Sequence, residues 1–153
     1  MTRALRAMWA LLIWLFVLAI PVQFYLAGHG AMEGAHAADK SIKVMPMAWD
    51  PHAALGTLMG LLAILIVLVA LAGRVPQPLL GLSALLLVFM VIQFFLPFFN
   101  DSAATRPVAA LHAVNALVVT GLAIMLAVRS RQYLPWANRR PAPEGMAAPA
   151  APQ

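Results

Sequence analysis

Four separate apolar runs constrain this chain more than any other feature. They cover approximately residues 8–27, 53–72, 79–98 and 108–128, and none contains an Asp, Glu, Lys or Arg. About 20 apolar residues is the length an α-helix needs to cross a hydrocarbon core roughly 30 Å thick. Composition agrees: 63% of the 153 residues are hydrophobic and 10% are charged, whereas a soluble domain carries about a quarter charged residues. The interruption between the first two runs, about two dozen residues, falls short of the roughly 40 that a small soluble core requires. The predicted fold class is therefore all-α, an integral membrane four-helix bundle spanning residues 1–130.

The net charge of +5 has a membrane explanation rather than a nucleic-acid one. Arg3, Arg6, Arg74, Arg129, Arg131, Arg139 and Arg140 fall in segments that share one side of a four-span chain. The opposite loops hold only Lys40, Lys43 and Arg106. The positive-inside rule then places both termini in the cytoplasm. Residues 131–153 read as a cytoplasmic tail, disordered from about residue 141, where Pro and Ala dominate without periodicity. Arg3 and Arg6, the first apolar run and Ala35-His36-Ala37 together resemble a signal peptide. The run is longer than a signal core, so an uncleaved anchor is expected. With no cysteine, disulfides, iron–sulfur clusters, thiolate metal sites and covalently attached haem are excluded.

Self-comparison adds an internal repeat. Val22-Gln23-Phe24-Tyr25-Leu26 matches Ile92-Gln93-Phe94-Phe95-Leu96, and His52-Ala53 matches His112-Ala113. The offset of His52 from His112 also lays Leu62-Ala63-Ile64-Leu65 on Leu122-Ala123-Ile124-Met125. Two copies of one helical hairpin, both running the same way across the membrane, predict a pseudo-two-fold axis along the membrane normal. The two histidines should then sit at similar depth on opposite sides of that axis. Gly73-Arg74-Val75-Pro76-Gln77-Pro78 is a tight turn that makes the second and third helices antiparallel neighbours. Pro21 and Pro97, near the outer ends of the first and third helices, are expected to kink them.

Counting along each helix places Gln23, His52, Gln93 and His112 within about 10 Å of the outer surface, one per helix. Asn115 lies on nearly the same face as His112, and Asp50-Pro51 reads as an N-cap and first-turn proline. Polar groups facing lipid are costly, so this layer should point inward. Below His52 run Gly56 and Gly60, and below His112 run Ala116 and Thr120, small residues that let a flat group approach the backbone. Two imidazoles facing across a bundle axis can be the axial ligands of one b-type haem, oriented by Gln23, Gln93 or Asn115.

Two other readings stay open. His, Gln and Asn also serve as interhelical glue, and small-residue stripes as close-packing seams; the chain would then be an accessory or assembly subunit of a larger membrane complex, or a homo-oligomer, with no cofactor. The first outer loop and its edges supply His29, Met32, His36, Met45, Met47 and His52, and imidazole and thioether suit copper. Those spacings match no fixed chelate. Catalytic signatures such as a phosphate loop, His-Glu-x-x-His or an intramembrane carboxylate pair are absent, so the reading is an electron-transfer or accessory protein rather than an enzyme. Without ionisable residues other than histidine inside the runs, a transporter is disfavoured.

Ala27-Gly28-x-Gly30, His52-x-x-x-Gly56, Gln93 and Leu111-His112-x-x-Asn115 together resemble a family of short four-span bacterial membrane proteins of unknown function, over about residues 5–130. More loosely, the paired helix histidines resemble haem-b membrane cytochromes of the cytochrome b561 kind. That likeness implies electron exchange with quinol or an outer-face redox protein. This chain departs from that group in having histidines for one haem only, all in the outer layer.

Overall fold

The computed structural model describes residues 1–39, 51–100 and 102–137. Among these described residues four α-helices form, in chain order α1 (Thr2–Asp39), α2 (Pro51–Ala72), α3 (Gln77–Phe95) and α4 (Arg106–Ser130). A 3-10 segment, Leu96–Asn100, follows α3, and a 3-10 turn, Arg131–Tyr133, follows α4. Each helix packs on its chain neighbours and α4 closes the ring on α1, so α1 faces α3 and α2 faces α4 across the diagonals. All four are long and apolar enough to cross a membrane. Their outward positions are apolar as well; Leu11, Leu15 and Leu18 on α1 and Leu58, Leu61 and Leu68 on α2 are exposed. A helix that is apolar on every face belongs in lipid. The chain is an integral, multi-pass membrane protein.

Lipid is as apolar as leucine, so helix association here rests on close contact and internal hydrogen bonds rather than on escape from water. The buried positions fit that rule. Ala10, Ala63, Ala70, Ala123, Ala127, Ser83 and Ser130 are buried beside Trp9, Phe16, Ile66 and Leu126. Ser83 holds its Oγ on the Leu79 carbonyl at 2.9 Å and accepts the Trp9 indole N–H at 3.2 Å, which ties α1 to α3 across the bundle.

Burial follows the repeat. Ile13, Phe16 and Ile20 on α1 correspond to Ser83, Leu86 and Met90 on α3, and all six are buried. Met59, Ala63, Ile66 and Ala70 on α2 correspond to Val119, Ala123, Leu126 and Ser130 on α4, again all buried. The two hairpins therefore present the same register to the core.

Three boundaries differ from the sequence expectation. First, α1 does not end near residue 27 but continues to Asp39, through Ala-rich sequence of high helix propensity. At 1.5 Å per residue it is about 57 Å long, so its last turns extend past the hydrocarbon core. Second, the two prolines act differently. Pro21 lies inside α1, where the missing N–H removes one rung of the ladder. Pro97 instead marks the end of α3, which gives way to the 3-10 segment one residue before it. Third, the chain after α4 does not leave the bundle at once: Leu134 is buried and Tyr133 meets Trp9 edge-on at 5.7 Å. The expected disorder from residue 141 and the Asp50 cap lie outside the described residues.

The α2–α3 turn is held from α1. Arg74 adopts φ 49°, the left-handed conformation that usually calls for glycine. Val75 N–H reaches the Ala70 carbonyl and Arg74 N–H the Leu71 carbonyl, both at 3.0 Å, the paired bonds of a Schellman motif. The Arg6 guanidinium donates to the carbonyls of Gly73 (3.0 Å) and Arg74 (2.7 Å). Gly73 is favoured by close contact: a Cβ there would lie 3.0 Å from the Val69 carbonyl oxygen and 3.3 Å from the Leu5 Cβ.

Candidate functional site

The polar layer lies at the end of the bundle opposite Arg6 and Arg74. His52 is the second residue of α2, and His112 lies in the second turn of α4. These helices are diagonal partners, so the imidazoles approach across the axis. Their centroids are 6.1 Å apart and their planes are inclined at 70°. The two imidazoles, one from each hairpin, are thus brought together between the diagonal helices.

Each imidazole is positioned by the glutamine of the preceding helix. His52 Nδ1 lies 3.3 Å from the Gln23 carbonyl oxygen, and His112 Nδ1 lies 3.0 Å from the Gln93 carbonyl oxygen. A carbonyl only accepts, so in both rings Nδ1 carries the proton and Nε2 the lone pair. The repeat thus reproduces a hydrogen bond as well as a residue type.

The glutamine side chains break the symmetry. Gln93 Nε2 donates to His112 Nε2 at 3.0 Å. Asn115 Nδ2 then donates to Gln93 Oε1 at 2.6 Å and to the Phe89 carbonyl at 2.9 Å. Asn115, Gln93 and His112 form a closed network between α3 and α4. In the first hairpin, Gln23 Nε2 instead donates to the His52 carbonyl at 2.9 Å, and Gln23 Oε1 is buried without a hydrogen-bond partner among the described residues. Leu55 stands where the repeat would place the mate of Asn115.

The small residues divide in the same way. A Cβ on Gly56 would lie 3.1 Å from Gln23 Nε2, so Gly56 makes room for that amide. A Cβ on Gly60 would meet nothing within 4 Å, which leaves space at that level. Ala116 is half-buried, and its carbonyl accepts the Thr120 hydroxyl at 2.7 Å.

Only part of the copper candidate set lies within the described residues. His29 and Met32 lie exposed on the extension of α1 rather than in a loop, the side chain of His36 is outside the described residues, and so are Met45 and Met47. Among the described residues no group of three or more His, Cys, Asp or Glu side chains is gathered as a metal would require.

Comparison with known proteins adds one decisive match. The sequence profile of a family of unknown function, DUF6220, covers residues 23–100, about half of the chain. The chain belongs to this family. The DUF6220 match opens on Gln23 and takes in His52, Gly56 and Gln93, so it holds the polar-layer residues of three helices, while His112 and Asn115 fall beyond its end. No curated protein and no solved structure matches the chain. The comparisons support the resemblance to a four-span family of unknown function, and not the looser one to cytochromes of the b561 kind.

Proposed function

We propose that this protein holds one b-type haem between His52 and His112 and serves electron transfer to or from quinol or an outer-face redox protein. The observation that carries the reading is the pair of imidazoles 6.1 Å apart across the bundle axis, each with Nδ1 on a glutamine carbonyl. Two imidazoles sharing one metal ion at bond lengths of roughly 2 Å have centroids roughly 6 Å apart. The 70° between the planes is no obstacle, because each ring turns about its own metal–nitrogen bond. An Nδ1–H bonded to a carbonyl is also the usual support of a ligating histidine, fixing its tautomer and raising its basicity. Ligation at His112 requires the Gln93 amide to leave Nε2, a loss of about 0.5–1.5 kcal/mol. The open space beside Gly60 gives a flat group somewhere to lie. Bound there, the haem iron would supply one-electron redox chemistry. The four spans, with Arg3, Arg6, Arg74, Arg129 and Arg131 on the cytoplasmic side, would put the site in the outer leaflet of the bacterial inner membrane.

The test is an absorption spectrum of the purified membrane protein. A Soret band is expected, lost in both His52→Ala and His112→Ala. A band absent from the parent protein, or surviving in either variant, would overturn the reading.

One observation favours a second reading, in which the layer is polar glue in an accessory subunit. The Asn115–Gln93–His112 network already satisfies both ring nitrogens of His112. Copurification with a larger membrane complex, without a cofactor, would support that reading against the first.

A further inference from the structure

At the arginine-rich end, where the chain after α4 folds back along α1, a groove of about 400 Å³ is lined by Trp14, Arg131, Leu134, Trp136 and Ala137. Its walls are apolar apart from two groups. Arg131 donates Nε to the Val128 carbonyl at 3.1 Å, which orients the guanidinium, and its terminal nitrogens have no protein partner among the described residues. Trp14 Nε1 is buried without a hydrogen-bond partner among the described residues. Trp14 lies five residues beyond Trp9 along α1, about 7.5 Å deeper into the bundle. A buried donor at hydrocarbon depth is costly when unpaired, because lipid tails offer it no acceptor. The adjoining cleft, about 760 Å³, shares Leu134 with the groove and adds Arg3 and Gln132. No described residue at this end is an Asp or Glu.

We infer that this groove seats one anionic glycerophospholipid. Its requirements form a layered set: cation at the rim, a single N–H donor deeper, and apolar walls between and below. A glycerophospholipid presents that set in complement, with phosphate at the interface, ester carbonyls below it and acyl chains beneath. Arg131 takes the phosphate, Trp14 Nε1 takes an ester carbonyl, and Leu134 and Trp136 line the first part of a chain. Basic grooves between membrane helices at the positive side are suited to anionic headgroups. A free phosphate satisfies the rim alone and leaves the deep N–H unpaired, so a lipid is the occupant. Arg6 is not part of the seat, because its guanidinium is committed to the α2–α3 turn.

Native mass spectrometry of the full chain from mixed bilayer discs tests this, using phosphatidylglycerol and phosphatidylcholine of matched chains. One retained phosphatidylglycerol per chain is expected, favoured over phosphatidylcholine by about tenfold. Trp14→Phe, which removes the N–H and keeps a ring, should lower retention of both lipids, because both carry ester carbonyls, whereas Arg131→Gln, a change at an exposed residue, should abolish most of the preference. Arg106→Gln removes the same charge from the opposite end and should leave it unchanged. Equal retention of the two lipids, an unaltered Trp14→Phe, an equal loss in Arg106→Gln, or displacement of the lipid by inorganic phosphate would overturn the assignment.

Discussion

Asn115 donates Nδ2 to Gln93 Oε1 at 2.6 Å, while the repeat-related acceptor, Gln23 Oε1, is buried with no partner among the described residues. The two hairpins therefore share a histidine–glutamine pair but differ in how the glutamine is completed. Asn115→Leu, which copies Leu55 into the second hairpin, should leave Gln93 Oε1 unpaired and cost about 1–3 kcal/mol. A lowered midpoint of thermal unfolding in detergent is the expected result, and an unchanged midpoint would show that the network carries no stability.

The reciprocal change tests the same asymmetry from the other side. Leu55 is half-buried next to the layer, one turn after His52, where Asn115 stands relative to His112. Leu55→Asn should offer Gln23 Oε1 a donor and gain up to about 1 kcal/mol, the usual net value of such a bond between membrane helices. Unfolding midpoints of parent and variant measure it; a loss of more than about 1 kcal/mol would mean that the two hairpins do not place this position alike.

Gly56 and Gly60 look equivalent in the sequence, one and two turns after His52, but their surroundings differ. Gly56→Ala puts a Cβ 3.1 Å from Gln23 Nε2, so the amide must shift and its 2.9 Å bond to the His52 carbonyl weakens. Gly60→Ala meets nothing within 4 Å and should be neutral, or stabilising by up to about 1 kcal/mol from helix propensity. Stability measured on both variants should therefore fall for Gly56→Ala alone. If Gly60→Ala destabilises as much, the stripe is a packing seam throughout.

These cases show what the sequence makes legible. Periodicity and polarity locate the four helices, and Gln23, His52, Gln93 and His112 stand out because an isolated polar residue in an apolar run has few neutral explanations. Their pairing across the diagonal follows from the parallel repeat. Bonds whose partner is a backbone carbonyl leave no such trace: nothing in the residue types tells that Gln23 turns to the His52 carbonyl while Gln93 turns to the His112 ring. The extension of α1 past residue 27 leaves no mark in hydropathy, which shows where lipid ends, and a helix can continue in water beyond that point. Trp9 and Trp14 are in sequence simply two tryptophans of the first span; only the position of Ser83 on the diagonal helix gives the Trp9 indole a partner that Trp14 lacks among the described residues.

The staple between Arg6 and the α2–α3 turn can be dissected by two substitutions whose effects oppose each other. Arg6→Ala removes donors to the Gly73 and Arg74 carbonyls at the end of the bundle where α1 begins, and should cost about 1–3 kcal/mol. Arg74→Gly keeps the carbonyl that Arg6 binds and relieves a left-handed backbone worth roughly 1–2 kcal/mol to an L-residue. It should stabilise the parent chain and recover part of the loss when combined with Arg6→Ala. Because the two sites are in contact, their effects should not add. A double-mutant cycle on unfolding free energies measures the coupling, and strict additivity would mean that Arg6 and the turn do not act on one another.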